Sequence, residues 1–253
     1  MTHSPEVSAT VAGGIGTVTF GGTKGNSLPA ALLADLAARI AETARRDEVR
    51  VIVIQSVGQG PFCAGASFDE LAMITSAEQG KRFFLGFAGV MLAMIRAPKP
   101  VVVRVHGKVV GGGVGIVAAA DHAIALASAS VRLSELAVGI GPFVIGPAVE
   151  RRIGPGPFGA MALDAGWRDA AWAERHGLYA KVCDTPEALD AAVEAQAQQL
   201  AAANPEATAQ IKAILWQGTD SWERVLDERA AMSGRLVLSA FTKRAIAGFA
   251  RPG

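Results

Sequence analysis

The order of patterns along this chain predicts an α/β core followed by a C-terminal helical region. Strand-type runs arrive with helical stretches between them. Two of those runs, Val51-Ile52-Val53-Ile54 and Val101-Val102-Val103, are continuously β-branched, as in strands buried on both faces. Beyond Pro142 the pattern is almost wholly helical.

Each element has its own signal. Residues 7–11 and 15–20 flank Gly13-Gly14 and read as a hairpin. Asn26-Ser27 is expected to cap the first long helix, with Pro29 near its first turn, where a missing N–H costs little. Leu28, Leu32, Leu36 and Ile40 recur every four residues and mark its buried stripe. After the strand at 51–54, the spacing predicts a helix over 77–95, stopped by Pro98 and Pro100. A strand opens at Val101, a short helix runs from Gly112 to near Asp121, and residues 123–126 and 131–133 are two short strands. The helical third is interrupted by a strand expected at 179–182 and broken at Asn204-Pro205. No stretch is rich enough in Pro, Gly or Ser to separate two domains.

Composition narrows the function class. With 253 residues, 51% of them hydrophobic, the chain can bury a sizeable core and has apolar surface to spare for subunit contacts. The net charge is +1, and the only dense basic spots are Arg45-Arg46 and Arg151-Arg152, so neither a nucleic-acid groove nor a membrane-surface helix is expected. Cys63 and Cys183 are too few and too far apart for a disulfide framework or a zinc site, and Cys63 reads as a small buried side chain. Residues 1–10 have neither a basic start nor an apolar signal core, and the apolar stretch between Lys108 and Asp121 is too short to span a bilayer. A cytoplasmic protein is expected.

The chemistry is carried by two glycine-rich turns, Phe62-Cys63-Ala64-Gly65-Ala66 and Gly111-Gly112-Gly113-Val114-Gly115. Such turns leave backbone N–H groups outward with no side chain in the way. Two of them brought together meet the requirement of an oxyanion hole. Glu135 follows in Arg132-Leu133-Ser134-Glu135-Leu136, where apolar neighbours would favour its neutral form and raise its pKa. A rival reading exists for the second turn, because Gly113-Val114-Gly115-Ile116-Val117-Ala118 fits the dinucleotide fingerprint. The strand at 101–105 ends before His106, and the following helix is short, which disfavours it.

These residues resemble those of the crotonase family, the enoyl-CoA hydratase/isomerase superfamily. The first turn is similar to the family's F-C-A-G-A-D segment, residues 106–113 to its H-G-x-x-x-G-G-G segment, and Ser134-Glu135 with Gly139 to its P-E-x-x-x-G stretch. The resemblance covers nearly the whole chain. It implies a spiral of ββα units over residues 1–195, a helical trimerisation region over 196–253, and homotrimers or dimers of trimers. It also implies an acyl-CoA substrate that brings coenzyme A with it, and no metal or redox cofactor.

By the same resemblance, the N–H groups of Ala66 and Gly112 are the oxyanion donors and Glu135 transfers the proton. Ala64, Gly65, Ser67 and Phe68 would line the coenzyme A site, with Ser67 standing where the family usually has Asp. Gly111 would allow close approach, Lys24 and Arg104 would meet phosphates, and Pro142, Phe143 and Ile145 would shape the acyl pocket. Gly115 is the main departure: many hydratases of the family carry a second glutamate there. Its absence would leave a gap for a bulkier or more polar acyl chain. Residues 139–147 look more like the branch that acts on glutaconyl-type CoA esters, such as methylglutaconyl-CoA hydratases. Reversible hydration of a 2-enoyl-CoA is therefore expected, with double-bond isomerisation or non-catalytic CoA binding as alternatives. Asp69 and Glu70 are rivals for a second acid on a helix. His3, His106, His122 and His176 read as tail, element ends or core contacts, and no G-x-S-x-G elbow accompanies them. The last helix, with Phe241, Lys243 and Phe249, either covers the coenzyme A of a neighbouring subunit or packs at an interface.

Overall fold

A computed structural model describes residues 6–249. Its main sheet has the strand order β1 (Glu6–Ala12), β2 (Ile15–Gly21), β3 (Val51–Ser56), β4 (Val101–Val105), β6 (His122–Leu126) and β9 (Lys181–Cys183). The β1–β2 pair is antiparallel and every later pairing is parallel. A small second sheet joins β5 (Val109–Val110), β7 (Ser130–Arg132) and β8 (Arg168–Asp169) in that order.

The helices are α1 (Thr23–Asn26), α2 (Ala30–Arg45), α3 (Phe68–Met73), α4 (Ala77–Arg96), α5 (Gly112–Ala118) and α6 (Gly146–Ile153). They continue as α7 (Pro155–Asp164), α8 (Ala170–Arg175), α9 (Pro186–Ala202), α10 (Pro205–Leu215), α11 (Trp222–Leu236) and α12 (Ala240–Phe249).

The β-branched run of β3 follows from burial on both faces. Ile52 and Ile54 join the main core, while Val51 and Val53 face a smaller core closed by Leu189, Val193 and Ala197 of α9. On the main-core side α2 packs on α4, and α4 packs on α11. The last two helices come close because a Cβ on Gly80 would lie 2.7 Å from the Gly234 Cα.

Several expectations need correction. Asn26-Ser27 does not cap α2: the N-cap is Pro29, and the Ala30 N–H donates to Glu70 Oε2 at 2.7 Å. The backbone at Lys24 and Gly25 has positive φ and turns Asn26 inward instead. There Oδ1 of Asn26 accepts from Gly22 N–H, and Nδ2 donates to the carbonyls of Val57 and Pro61. The strand expected at 179–182 lies at Lys181–Cys183, with Tyr179 buried in the main core. The short helix ends at Ala118, and the boundary expected at residue 195 falls inside α9. Asn204 caps α10, accepting from the N–H groups of Glu206 and Ala207. His3 and the Phe249 side chain lie outside the described residues. Among the described residues, no helix is long and apolar enough to cross a membrane.

Candidate active site

The first turn is held by two backbone bridges. Leu28 N–H donates to Gly65 O at 2.8 Å and Ser67 N–H to Leu28 O at 3.3 Å, which leaves the intervening Ala66 N–H facing the other way. On its near side, Cys63 N–H donates to Lys108 O and Val110 N–H to Cys63 O, tying the turn to the strand that enters the second turn. Gly65 has φ +86°, and a Cβ there would lie 2.9 Å from Val110 O and 3.7 Å from Gly112 N. Glycine therefore permits both the turn and the close approach of the two segments. Burial pushes the Cys63 thiol up to about 12, as fits a small packed side chain.

In the second turn, Gly111 has φ +53° and donates its N–H to Arg132 O at 2.9 Å. Gly112 opens α5, so its N–H has no acceptor within the helix. No larger residue fits: a Cβ would lie 2.1 Å from Phe87 Cε1. β5 does lead straight into these glycines, but it belongs to the small sheet, and α5 has only 7 residues, unlike a dinucleotide-binding unit.

Glu135 is the N-cap of the 3-10 turn Leu136–Val138, and its carbonyl accepts from Val138 N–H at 3.2 Å and Ile140 N–H at 2.9 Å. Its Oε2 is buried and meets no protein donor, and its Oε1 would lie 3.2 Å from a Cβ on Gly111. Burial raises the carboxyl to about 7, against the smaller opposing effect of the backbone N–H groups of Glu135 and Ser134. Such a group exchanges a proton readily in either direction near neutrality.

A cavity lies between these parts. Ala64, Gly65, Ala66 and Phe68 line it from the first turn and the start of α3, Gly111 and Gly112 from the second turn, and Glu135 opposite. Pro142, Phe143 and Ile145 close it further. Among the described residues, Glu135 is the only ionisable side chain in the lining.

The other expected residues do not reach the cavity. Lys24 is exposed and paired with Asp69, while Arg104 pairs with Asp190 of α9 at 2.6 Å. Ser67 caps α3, accepting from Glu70 N–H, so its side chain holds a helix end. Glu70 is occupied at the start of α2. Gly115 offers no gap: a Cβ there would lie 2.4 Å from Ile145 Cγ2 and 3.0 Å from Met91 Sδ. Among the described residues the histidines stay outside as well: His106 packs edge-on to Phe62, and His176 stacks on Trp172. Phe84, Phe87 and Ser233 line the cavity without having been expected there. Their helical spacing marks only buried faces of α4 and α11, with nothing to say which core they join.

The family model described as enoyl-CoA hydratase/isomerase matches residues 10–250. The chain is 31% identical over 117 residues to the mouse "Enoyl-CoA hydratase domain-containing protein 2, mitochondrial", covering 46% of this chain and 39% of that protein. It is 30% identical over 168 residues to human "Methylglutaconyl-CoA hydratase, mitochondrial", covering 66% of this chain and 49% of that one. The matched stretch thus spans less than half the length of these curated relatives. Among solved structures, it is similar to a putative enoyl-CoA hydratase from Mycobacterium avium paratuberculosis K-10, with a TM-score of 0.85, 25% identity and 96% of both chains covered.

Proposed function

Because the chain belongs to the enoyl-CoA hydratase/isomerase family, we propose that it adds water reversibly to a 2-enoyl-CoA thioester, using one carboxylate. The observation that carries this reading is the Glu135 carboxyl, buried, raised to about 7, and with Oε2 free of any protein donor beside two outward N–H groups. The thioester oxygen accepts from Ala66 N–H and Gly112 N–H, which stabilise it as it becomes an enolate. Ionised Glu135 takes a proton from the water that attacks C3 and returns that proton to C2 on the same face. One water is consumed and the carboxylate is regenerated.

Coenzyme A enters as part of the substrate in this reading, without a metal or redox cofactor. Similarity to the methylglutaconyl-CoA hydratase supports a branched or glutaconyl-type acyl group. The family resemblance supports a homotrimer or dimer of trimers, and exposed Ile211, Ile214 and Leu215 on α10 offer apolar surface for it.

Double-bond isomerisation is the second reading, favoured by Ile145 and Met91 filling the space beside Gly115. With no second carboxylate among the described lining residues to fix a water, one carboxylate can still carry a proton between C2 and C4. Turnover of crotonyl-CoA, 3-methylglutaconyl-CoA and a 3-enoyl-CoA, with product masses, separates the readings. Hydration gives a gain of one water, which Glu135→Gln lowers by about 10²–10⁴-fold. A shifted double bond at constant mass establishes the isomerase. Bound CoA esters with no conversion leave a binding protein.

A further inference from the structure

Among the described residues Oε2 of Glu135 meets no donor, and the groups that oppose its raised pKa are backbone N–H groups of its own segment. The carboxylate's direction is therefore set by the backbone at Ser134 and Glu135. That backbone is tied to the turn Leu136–Val138 through the Glu135 carbonyl, which accepts from Val138 N–H and Ile140 N–H. That turn ends at Gly139, with φ +84°. The Gly139 carbonyl accepts from Thr242 Oγ1 of α12 at 3.2 Å, and Thr242 is fully buried. Ser239 Oγ donates to Thr242 Oγ1 at 3.0 Å and accepts from Thr242 N–H at 3.1 Å, so the hydroxyl is itself oriented. Phe241 covers the same glycine: a Cβ on Gly139 would lie 2.4 Å from its Cδ1. α12 also packs on α3, whose Phe68 and Leu71 line the cavity. One helix thus touches both the turn beside Glu135 and the helix that follows Ala66.

We propose that α12 of the same chain aligns Glu135 with the Ala66 and Gly112 donors, and that Thr242 is a positioning residue acting through the Gly139 carbonyl. The inference rests on Glu135 being the proton-transfer group. Thr242→Val keeps the side-chain shape and removes the hydroxyl. A carboxylate displaced by a fraction of an ångström loses rate without losing substrate, so kcat falls about tenfold with KM unchanged. In ¹³C NMR of glutamate-labelled protein, the Glu135 carboxyl titrates below its wild-type value, because water reaches the loosened turn. Thr242→Ser restores both readouts.

Thr242→Val with unchanged kcat, or with an unchanged Glu135 titration, overturns the proposal. Absence of wild-type turnover on every enoyl-CoA sinks the functional reading instead, and the titration then decides the positioning question alone. Should Thr242→Val fail to fold, Ser239→Ala removes the donor that orients the hydroxyl and is read by the same two measurements.

Discussion

At Glu135 a carboxyl useful to chemistry is a burden to the fold. Its folded value of about 7 lies above its ordinary 4.5, so the folded state binds the proton more tightly than the unfolded chain. The resulting contribution is fully present below about pH 4.5 and is lost as pH rises through about 7. Above that, the buried charge costs roughly 3 kcal/mol. Glu135→Gln is therefore expected to unfold at higher temperature than wild type at pH 8, with the difference vanishing by pH 5. Hydration by ionised Glu135 should fall with an apparent pKa near 7 as pH drops, seen in kcat/KM profiles. Equal melting temperatures at both pH values would show that the carboxyl is solvated. At this scale the sequence is readable where chemistry forces one residue type: Gly65 and Gly112 stand where no side chain fits. It is unreadable at Gly115, because the occupant of the apparent gap, Ile145, arrives from a distant segment.

Elements are legible when their signal is internal and lost when it comes from a neighbour. The hairpin β1–β2 and most of the stripe of α2 lie within single segments and stand where the sequence puts them, except that Leu28, expected in the stripe, lies before α2 and bridges to Ala66. β5 and β8 are two residues each and exist through pairing with β7 and, for β5, with Cys63, so nothing local announces them. The start of α2 departs from the expected cap for the same reason: its acceptor is Glu70, 40 residues away. That contact holds Glu70 at the start of α2. Glu70→Ala should cost about 1 kcal/mol in urea denaturation, the usual worth of a helix cap, and leave kcat unchanged. A collapse in kcat would return α3 to the list of proton donors.

Across the whole molecule, the C-terminal helices are part of the core, not an appendage to it. Lys212 of α10 is 3% exposed, pairs with Asp121 at 2.9 Å and donates to the carbonyls of Met94 and Lys99. Asp121 also accepts from Trp216 Nε1 and from Val101 N–H at the start of β4. Lys212→Met removes the ammonium paired with Asp121 and leaves Arg152 as the nearby cation, so it should cost less than the ~3–5 kcal/mol of a fully broken buried pair. Equilibrium unfolding should show this as a single destabilised transition; separate loss of the C-terminal helices would mean two independent units. The spiral could be read from motif order, but this tie could not, since neither Lys212 nor Asp121 differs in sequence from a solvated charge. The packing of Ile145 against Gly115 couples the two positions. A glutamate placed at position 115 would strike Ile145, and a smaller residue at position 145 alone would open a void. Gly115→Glu combined with Ile145→Ala is therefore expected to be less destabilised in urea denaturation than the sum of the two single variants.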